Sequence, residues 1–131
     1  MEKQLKIQII EDDHVIRSGL QAMLQDNGFL VDTHNGDDEV QNIINSIKLY
    51  YPDFIILDLV LPRADGFDIL SRLKSNEETH DIPVLVFSNF SEEDIRERCD
   101  RLGANYYFIK NDFSIEEFVE KVIRIIKNKL K

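Results

Sequence analysis

Cross-linking and metal-binding side chains are scarce in this chain of 131 residues: it holds one cysteine, Cys99, and three histidines. A lone cysteine excludes an intrachain disulfide and a thiolate zinc site, and fits a reducing compartment. His14, His34 and His80 are scattered without metal-ligand spacing and read as surface residues. Basic residues are also in deficit, with 16 Lys and Arg against 25 Asp and Glu, for a formal charge of −9. That surplus of acid repels phosphate backbones and anionic headgroups. It argues against direct binding of nucleic acid or a membrane surface, and favours cations and basic partner surfaces. No apolar run reaches the roughly 18 residues of a membrane span, and Met1 to Lys6 is too polar for a signal peptide. A soluble cytoplasmic protein is expected.

What is present is the material of one core: 43% hydrophobic and 31% charged residues, over about one domain's length. Short apolar runs alternate with segments of helical period along the entire chain, which implies a parallel sheet with crossover helices. The runs are Leu5–Ile10, Phe29–His34, Phe54–Leu57, Val84–Phe87 after Pro83, and Asn105–Ile109. Between them lie five helical segments. The first, about His14 to Asp26, carries Val15, Leu20, Met23 and Leu24, with Asp13 as N-cap and Asn27-Gly28 closing it. The second carries Val40, Ile43, Ile44 and Ile47 and breaks at Tyr50-Tyr51-Pro52-Asp53. The third carries Phe67, Ile69, Leu70 and Leu73. Ser91 with Asp94 has the spacing of a capping box for the fourth, which carries Ile95, Cys99 and Leu102 and stops at Gly103. Ser114 with Glu117 repeats that spacing ahead of the last, whose basic end, Lys127 to Lys131, suits the negative pole of the helix dipole.

Five strand and helix pairs use up the chain, with no linker, repeat or low-complexity segment. Residues 1–131 therefore read as a single domain, and output is expected to pass through a partner or an effector domain absent from this chain. An open parallel sheet binds ligands beyond the carboxyl ends of its strands. Glu11 and Asp12, Asp58, Ser88 and Lys110 stand at four of those ends. Carboxylates gathered there without a counterion would repel and raise one another's pKa values. Mg²⁺, which takes one or two carboxylates with waters and phosphate oxygens, relieves that repulsion. A lysine and a hydroxyl beside the ion complete a pocket for a transferred phosphoryl group, with Asp58 as nucleophile.

Glu11-Asp12 after an apolar strand, Asp58-Leu59-Val60-Leu61-Pro62 followed by Asp65-Gly66, Ser88, and Gly103-Ala104 leading to Tyr107 and Lys110 together resemble the receiver domain of two-component response regulators. The resemblance covers essentially the whole chain. It implies a flavodoxin-like (βα)5 fold, a doubly wound five-stranded parallel sheet in the order 2-1-3-4-5. It also implies that Asp58 accepts a phosphoryl group from a phosphohistidine on a sensor histidine kinase or histidine phosphotransfer protein. Asp12 and Asp58 would bind Mg²⁺ directly with the backbone carbonyl of Val60, and Glu11 would act through water. Lys110 would pair with Asp58 and then with the phosphoryl oxygens, Ser88 would donate to the phosphoryl group, and Tyr107 would turn inward as Ser88 shifts. The switch would be a population shift between two conformations that alters binding to a downstream effector. The surface of the fourth helix, fifth strand and fifth helix would serve partner binding or homodimerisation. Such a domain is not an enzyme in the ordinary sense, its own chemistry being limited to gaining and losing the phosphoryl group.

Three departures or choices stand out. Three adjacent acids, Glu11, Asp12 and Asp13, compete for the site, and family register favours the first two. The family usually places a cis proline after the lysine, and here Asn111 follows Lys110. A cis bond before a non-proline residue costs about 2.5–4 kcal/mol. Either a trans peptide with an altered loop or a strained cis bond is expected. The resemblance implies that Val60 and Phe90, each two residues beyond a site residue, would flank the approach of hydrolytic water along with Asn89, and neither apolar side chain can orient that water. A long-lived phosphoryl group is expected. Two other readings compete: a binding module of the same fold that has lost phosphorylation, and an aspartyl-phosphate hydrolase of the haloacid-dehalogenase type. The first is opposed by the full set of site residues. The second wants an acid two residues after the nucleophile, where Val60 stands.

Overall fold

The computed structural model describes residues 3–129. Strand and helix alternate five times: β1 (Lys6–Ile10), α1 (His14–Asp26), β2 (Leu30–His34), α2 (Val40–Tyr50), β3 (Phe54–Leu57), α3 (Gly66–Ser75), β4 (Val84–Ser88), α4 (Glu93–Arg101), β5 (Tyr106–Ile109) and α5 (Ile115–Lys129). All neighbouring strands pair parallel, in the order β2-β1-β3-β4-β5. This is the parallel sheet the alternation predicts, in the doubly wound order the family resemblance implies. Phe29, Asn105 and Leu5 fall just outside the strands assigned to them, which shortens each run by one residue.

Side chains of successive strand residues leave the sheet on opposite faces, and in β3 and β4 both sets are buried. Ile7, Ile9, Phe54, Ile56, Leu85 and Phe87 pack against α1 and α5. Ile10, Ile55, Leu57, Val84 and Val86 pack against α2, α3 and α4, where Cys99 is fully buried as a small core residue. Phe87 and Phe118 stack with ring centroids 3.7 Å apart and tie α5 to β4.

Val15 does not share the buried face of α1 and is 71% exposed. Ile16, Leu20 and Met23 form the i, i+4, i+7 stripe, and Val15 lies half a turn from Leu24. His34 is half-buried rather than on the surface, its Nδ1 accepting from the Gly36 N–H at 2.9 Å.

The helix ends follow local chemistry. Asp13 caps α1 by accepting from the Ile16 N–H at 3.0 Å. The Ser114–Glu117 box closes in both directions, Ser114 N–H to Glu117 Oε1 at 2.9 Å and Glu117 N–H to Ser114 Oγ at 3.1 Å. The box expected at Ser91 and Asp94 is not formed: α4 begins one residue later than that spacing requires, with Glu92 as N-cap and no side-chain capping bond. Asp is one methylene shorter than the Glu or Gln that reaches back in such a box. Lys127 and Lys129 lie in the last turn of α5, and Leu130 and Lys131 lie outside the described residues.

The β3–α3 connection folds tightly back on itself. Val60 bridges Asp65, and the Gly66 N–H donates to Leu59 O at 3.0 Å. A Cβ at position 66 would stand 2.4 Å from Leu59 Cα, so only glycine fits the turn that directs the chain away from Asp58.

Candidate functional site

Register brings the strand-end residues together. Ile10 lies opposite Leu57, so the residues that follow, Glu11 and Asp58, leave the sheet side by side, with the Asp58 N–H donating to Ile10 O at 2.9 Å. Ser88 lies opposite Ile109, one residue before Lys110. The Lys110 ammonium then bridges both acids, donating to Glu11 Oε1 at 2.7 Å and to Asp58 Oδ2 at 3.0 Å. Glu11 and Asp58 are buried, with 2% and 5% exposure, and Ser88 is buried beside them.

Burial and then the Asp58 charge push the Glu11 carboxyl up to about 7, against the opposing pull of Lys110. Burial works to lower the Lys110 ammonium, but its hydrogen bond with Glu11 and the charges of Asp58 and Glu11 outweigh that, leaving it above the usual lysine range. The family resemblance implies that Lys110 pairs with Asp58. It does, and the shorter bond is to Glu11.

Above this buried layer opens a cavity of about 280 Å³ lined by Asp12, Asp13, Ile16, Asp58, Val60, Ser88, Asn89, Phe90 and Lys110. Glu11, Asp12 and Asp58 each turn one carboxylate oxygen to within 4.8 Å of the others, Asp12 from the exposed side. This donor set fits a hard divalent cation: all oxygen, three carboxylates against one lysine, open on one side for water and phosphate oxygens. Asp13 caps α1, while Glu11 and Asp12, the two acids the register favours, are the ones that cluster with Asp58.

The Ser88 Oγ accepts from the Phe90 N–H at 3.1 Å, which leaves its own proton to donate elsewhere. Tyr107, half-buried, donates its hydroxyl to Phe90 O at 2.7 Å, and burial raises its pKa. Ser88 and Tyr107 are thus joined through one loop residue. Val60 is 58% exposed at the mouth of the cavity, Asn89 is exposed and Phe90 is half-buried against the core. The Lys110–Asn111 peptide is trans, as all described peptides are, and Lys110–Asp112 form a single 3₁₀ turn closed by Phe113 N–H to Lys110 O at 3.3 Å.

One residue was not legible in the sequence. Arg17, on the first turn of α1, donates to the main-chain carbonyls of both Glu11 and Asp12. It carries no motif, because its partners are backbone atoms.

Fold and site together define a phosphoryl-accepting signalling class: a doubly wound parallel sheet with an acidic cluster, a lysine and a hydroxyl beyond its carboxyl edge. Residues 7–123 match the family model of the response regulator receiver domain, and the chain belongs to that family. Members are phosphorylation-dependent switches that bind Mg²⁺ in an acidic pocket, rather than enzymes in the ordinary sense. The chain is 32% identical over 117 residues to the transcriptional regulatory protein PdtaR of Mycobacterium tuberculosis, covering 89% of this chain and 54% of that protein. It is 32% identical over 123 residues to the phosphate regulon transcriptional regulatory protein PhoB of Escherichia coli, covering 93% of this chain and 52% of that one. The chain therefore spans about half the length of these curated relatives.

Among solved structures, a response regulator from Chloroflexus aurantiacus superposes with a TM-score of 0.80 at 25% identity, over 95% of this chain and 99% of that one. The phosphorylated cyanobacterial phytochrome response regulator RcpA superposes with 0.76 at 26% identity, over 94% and 91%. None of the described helices is long and apolar enough to cross a membrane.

Proposed function

We propose that Asp58 is the phosphoacceptor of a two-component relay and that the chain acts in the cytoplasm as a switch loaded by a histidine kinase or histidine phosphotransfer protein. The observation that carries this reading is the Lys110 ammonium 3.0 Å from Asp58 Oδ2, at the floor of a cavity that also presents Ser88 and Asp12.

A carboxylate oxygen of Asp58 attacks phosphorus. The P–N bond of the donor phosphohistidine breaks, a P–O bond forms, and the imidazole leaves with the electron pair and takes up a proton. Lys110, already shared between Glu11 and Asp58, is placed to follow the charge as Asp58 becomes an acyl phosphate and its negative charge moves to the phosphoryl oxygens. The Ser88 hydroxyl, which accepts from the Phe90 N–H, would supply its proton as a donor to one of those oxygens. Asp12, Asp58 and the Val60 carbonyl would hold Mg²⁺, with Glu11 acting through water, and the bound ion would offset charge on the phosphoryl oxygens and among the acids.

Movement of Ser88 toward the phosphoryl group pulls on Phe90, whose carbonyl holds Tyr107, and so reaches β5. The output surface is the groove of about 490 Å³ between α4 and β5, lined by Arg96, Glu97, Asp100, Tyr106 and Tyr107 among others. A downstream partner or a second copy would dock there with α5.

Treatment with Mg²⁺ and acetyl phosphate, followed by intact mass measurement, tests the reading. A single phosphoryl adduct is expected, absent from Asp58→Asn. No adduct on the wild-type protein would point to a binding module that has lost phosphorylation, and rapid turnover of varied phosphomonoesters would point to a hydrolase.

A further inference from the structure

We propose that Arg17 is a positioning residue for the cation site: it fixes the loop carrying Glu11 and Asp12 through their carbonyls, so that its guanidinium occupies neither carboxylate. The inference rests on the reading of the acidic cluster as a Mg²⁺ site.

The loop between β1 and α1 has a difficult task. It must aim two successive acids at a third, Asp58, with one carboxylate oxygen from each inside 4.8 Å. Mutual repulsion drives such a loop apart. Lys110 opposes it only at Glu11 and Asp58, where its two bonds of 2.7 and 3.0 Å are made. Asp12, at the exposed side of the cluster, is restrained instead through its main chain.

There the Arg17 Nη1 donates to Glu11 O at 2.8 Å and to Asp12 O at 3.1 Å. The loop is held from the helix as well. The Arg17 N–H donates to Asp13 O at 2.9 Å, and the Asp13 N–H donates to Glu11 Oε2 at 3.1 Å. One guanidinium thus clasps two consecutive carbonyls from a residue whose own backbone is fixed in the first turn of α1.

The choice of carbonyls matters. A cation paired directly with the Asp12 carboxylate would compete with a divalent ion for the same oxygen, whereas a guanidinium on the carbonyls stabilises the acid loop without occupying a ligand. Such outer partners typically set metal affinity by 10–100-fold. The guanidinium has an unchanging charge and a planar fork, which suits it to a shared bond of this kind.

Mg²⁺ binding measured by titration calorimetry on the whole chain, with no phosphodonor present, tests the proposal. Arg17→Met keeps the aliphatic stem and removes the donors, Arg17→Lys keeps a charged donor, and Asp12→Asn removes a ligand. Far-UV circular dichroism and thermal melts establish that each variant is folded at the titration temperature. Wild-type binding that disappears in Asp12→Asn supports the cation site itself. On that footing, Arg17→Met is expected to bind Mg²⁺ about 10-fold more weakly, with Arg17→Lys recovering part of the loss. Wild-type affinity in folded Arg17→Met overturns the role of Arg17 alone. Absence of Mg²⁺ binding by the wild-type chain overturns both the role and the reading on which it rests. If Arg17→Met does not fold at the titration temperature, Arg17→Lys decides, since unchanged affinity combined with a lowered melting point assigns Arg17 to stability only.

Discussion

The side chain of Val60 and its backbone have separate tasks at the same position. Its carbonyl is a proposed ligand, while the side chain stands 58% exposed at the mouth of the cavity, two residues past Asp58. Hydrolysis of an acyl phosphate needs a water aligned opposite the Asp58 oxygen, and an isopropyl group offers that water no hydrogen bond. Val60→Asn supplies one at little cost to the fold, since an exposed substitution usually changes stability by no more than about 0.5 kcal/mol. The half-life of the phosphoryl adduct in Mg²⁺ buffer, followed by intact mass, is expected to shorten by roughly tenfold or more. An unchanged half-life would remove Val60 from the control of hydrolysis. The acids, the lysine and the serine were legible because each ends an apolar run, and parallel register carries such ends to one edge. Two things were not. Glu11 sharing Lys110 with Asp58 depends on how deep the lysine reaches, and Arg17 acts on carbonyls that every residue possesses. Tyr107 was legible only through the family resemblance, and its 2.7 Å bond to Phe90 O is what ties it to the Ser88 loop.

Helix caps separate spacing that merely matches a motif from spacing that forms one. Ser91 with Asp94 and Ser114 with Glu117 have the same separation, yet only the second closes, because Glu117 has the reach and α5 starts at the right residue. Ser114→Ala is therefore expected to cost about 1 kcal/mol in urea denaturation. Ser91→Ala should leave stability within error, and equal losses would contradict the capping geometry. The box also carries a pH signature. The Ser114 N–H, and then its hydroxyl, hold the Glu117 carboxyl below its ordinary value of 4.5. Its contribution is present above pH 4.5 and is lost as pH falls through the lowered folded value. Glu117→Gln should consequently show a shallower loss of stability than wild type below pH 4.5, and an unaltered slope would deny the bond in solution. At the β3–α3 turn, Gly66→Ala forces a Cβ to 2.4 Å from Leu59 Cα. The turn must open, at about 1–3 kcal/mol. Because Leu59 adjoins Asp58, acetyl-phosphate labelling of Gly66→Ala should slow along with the drop in its urea midpoint.

At the scale of the whole molecule, the charge of −9 has two components that respond differently to ions. Most of it is dispersed over exposed faces, where any salt screens it. Glu11, Asp12 and Asp58 instead concentrate charge at the sheet edge, two of them buried, and Glu11 answers by holding its proton up to about pH 7. The topology dictates this concentration: the strand order puts β1 beside β3, so folding itself drives the acids together. The alternation of apolar runs made a parallel sheet foreseeable and the family resemblance implied its strand order, while the depth of the acids under the surface needed the packed helices to define it. A cation that binds the folded chain must then stabilise it by mass action, about 2.7 kcal/mol at 100 times its dissociation constant. For a domain of this size that raises the melting midpoint by on the order of 10 °C. Thermal melts at pH 7.5 with saturating MgCl₂ should show this rise, and chelation by EDTA should reverse it. NaCl at matched ionic strength should reproduce only the part due to dispersed charge. The double variant Asp12→Asn, Asp58→Asn should start with a higher midpoint than the wild-type chain in EDTA, since the repulsion is relieved, and gain nothing specific from Mg²⁺. An equal Mg²⁺ shift in that variant, or a NaCl shift as large as that of MgCl₂, would mean that the cluster is ordinary surface charge and not a cation site.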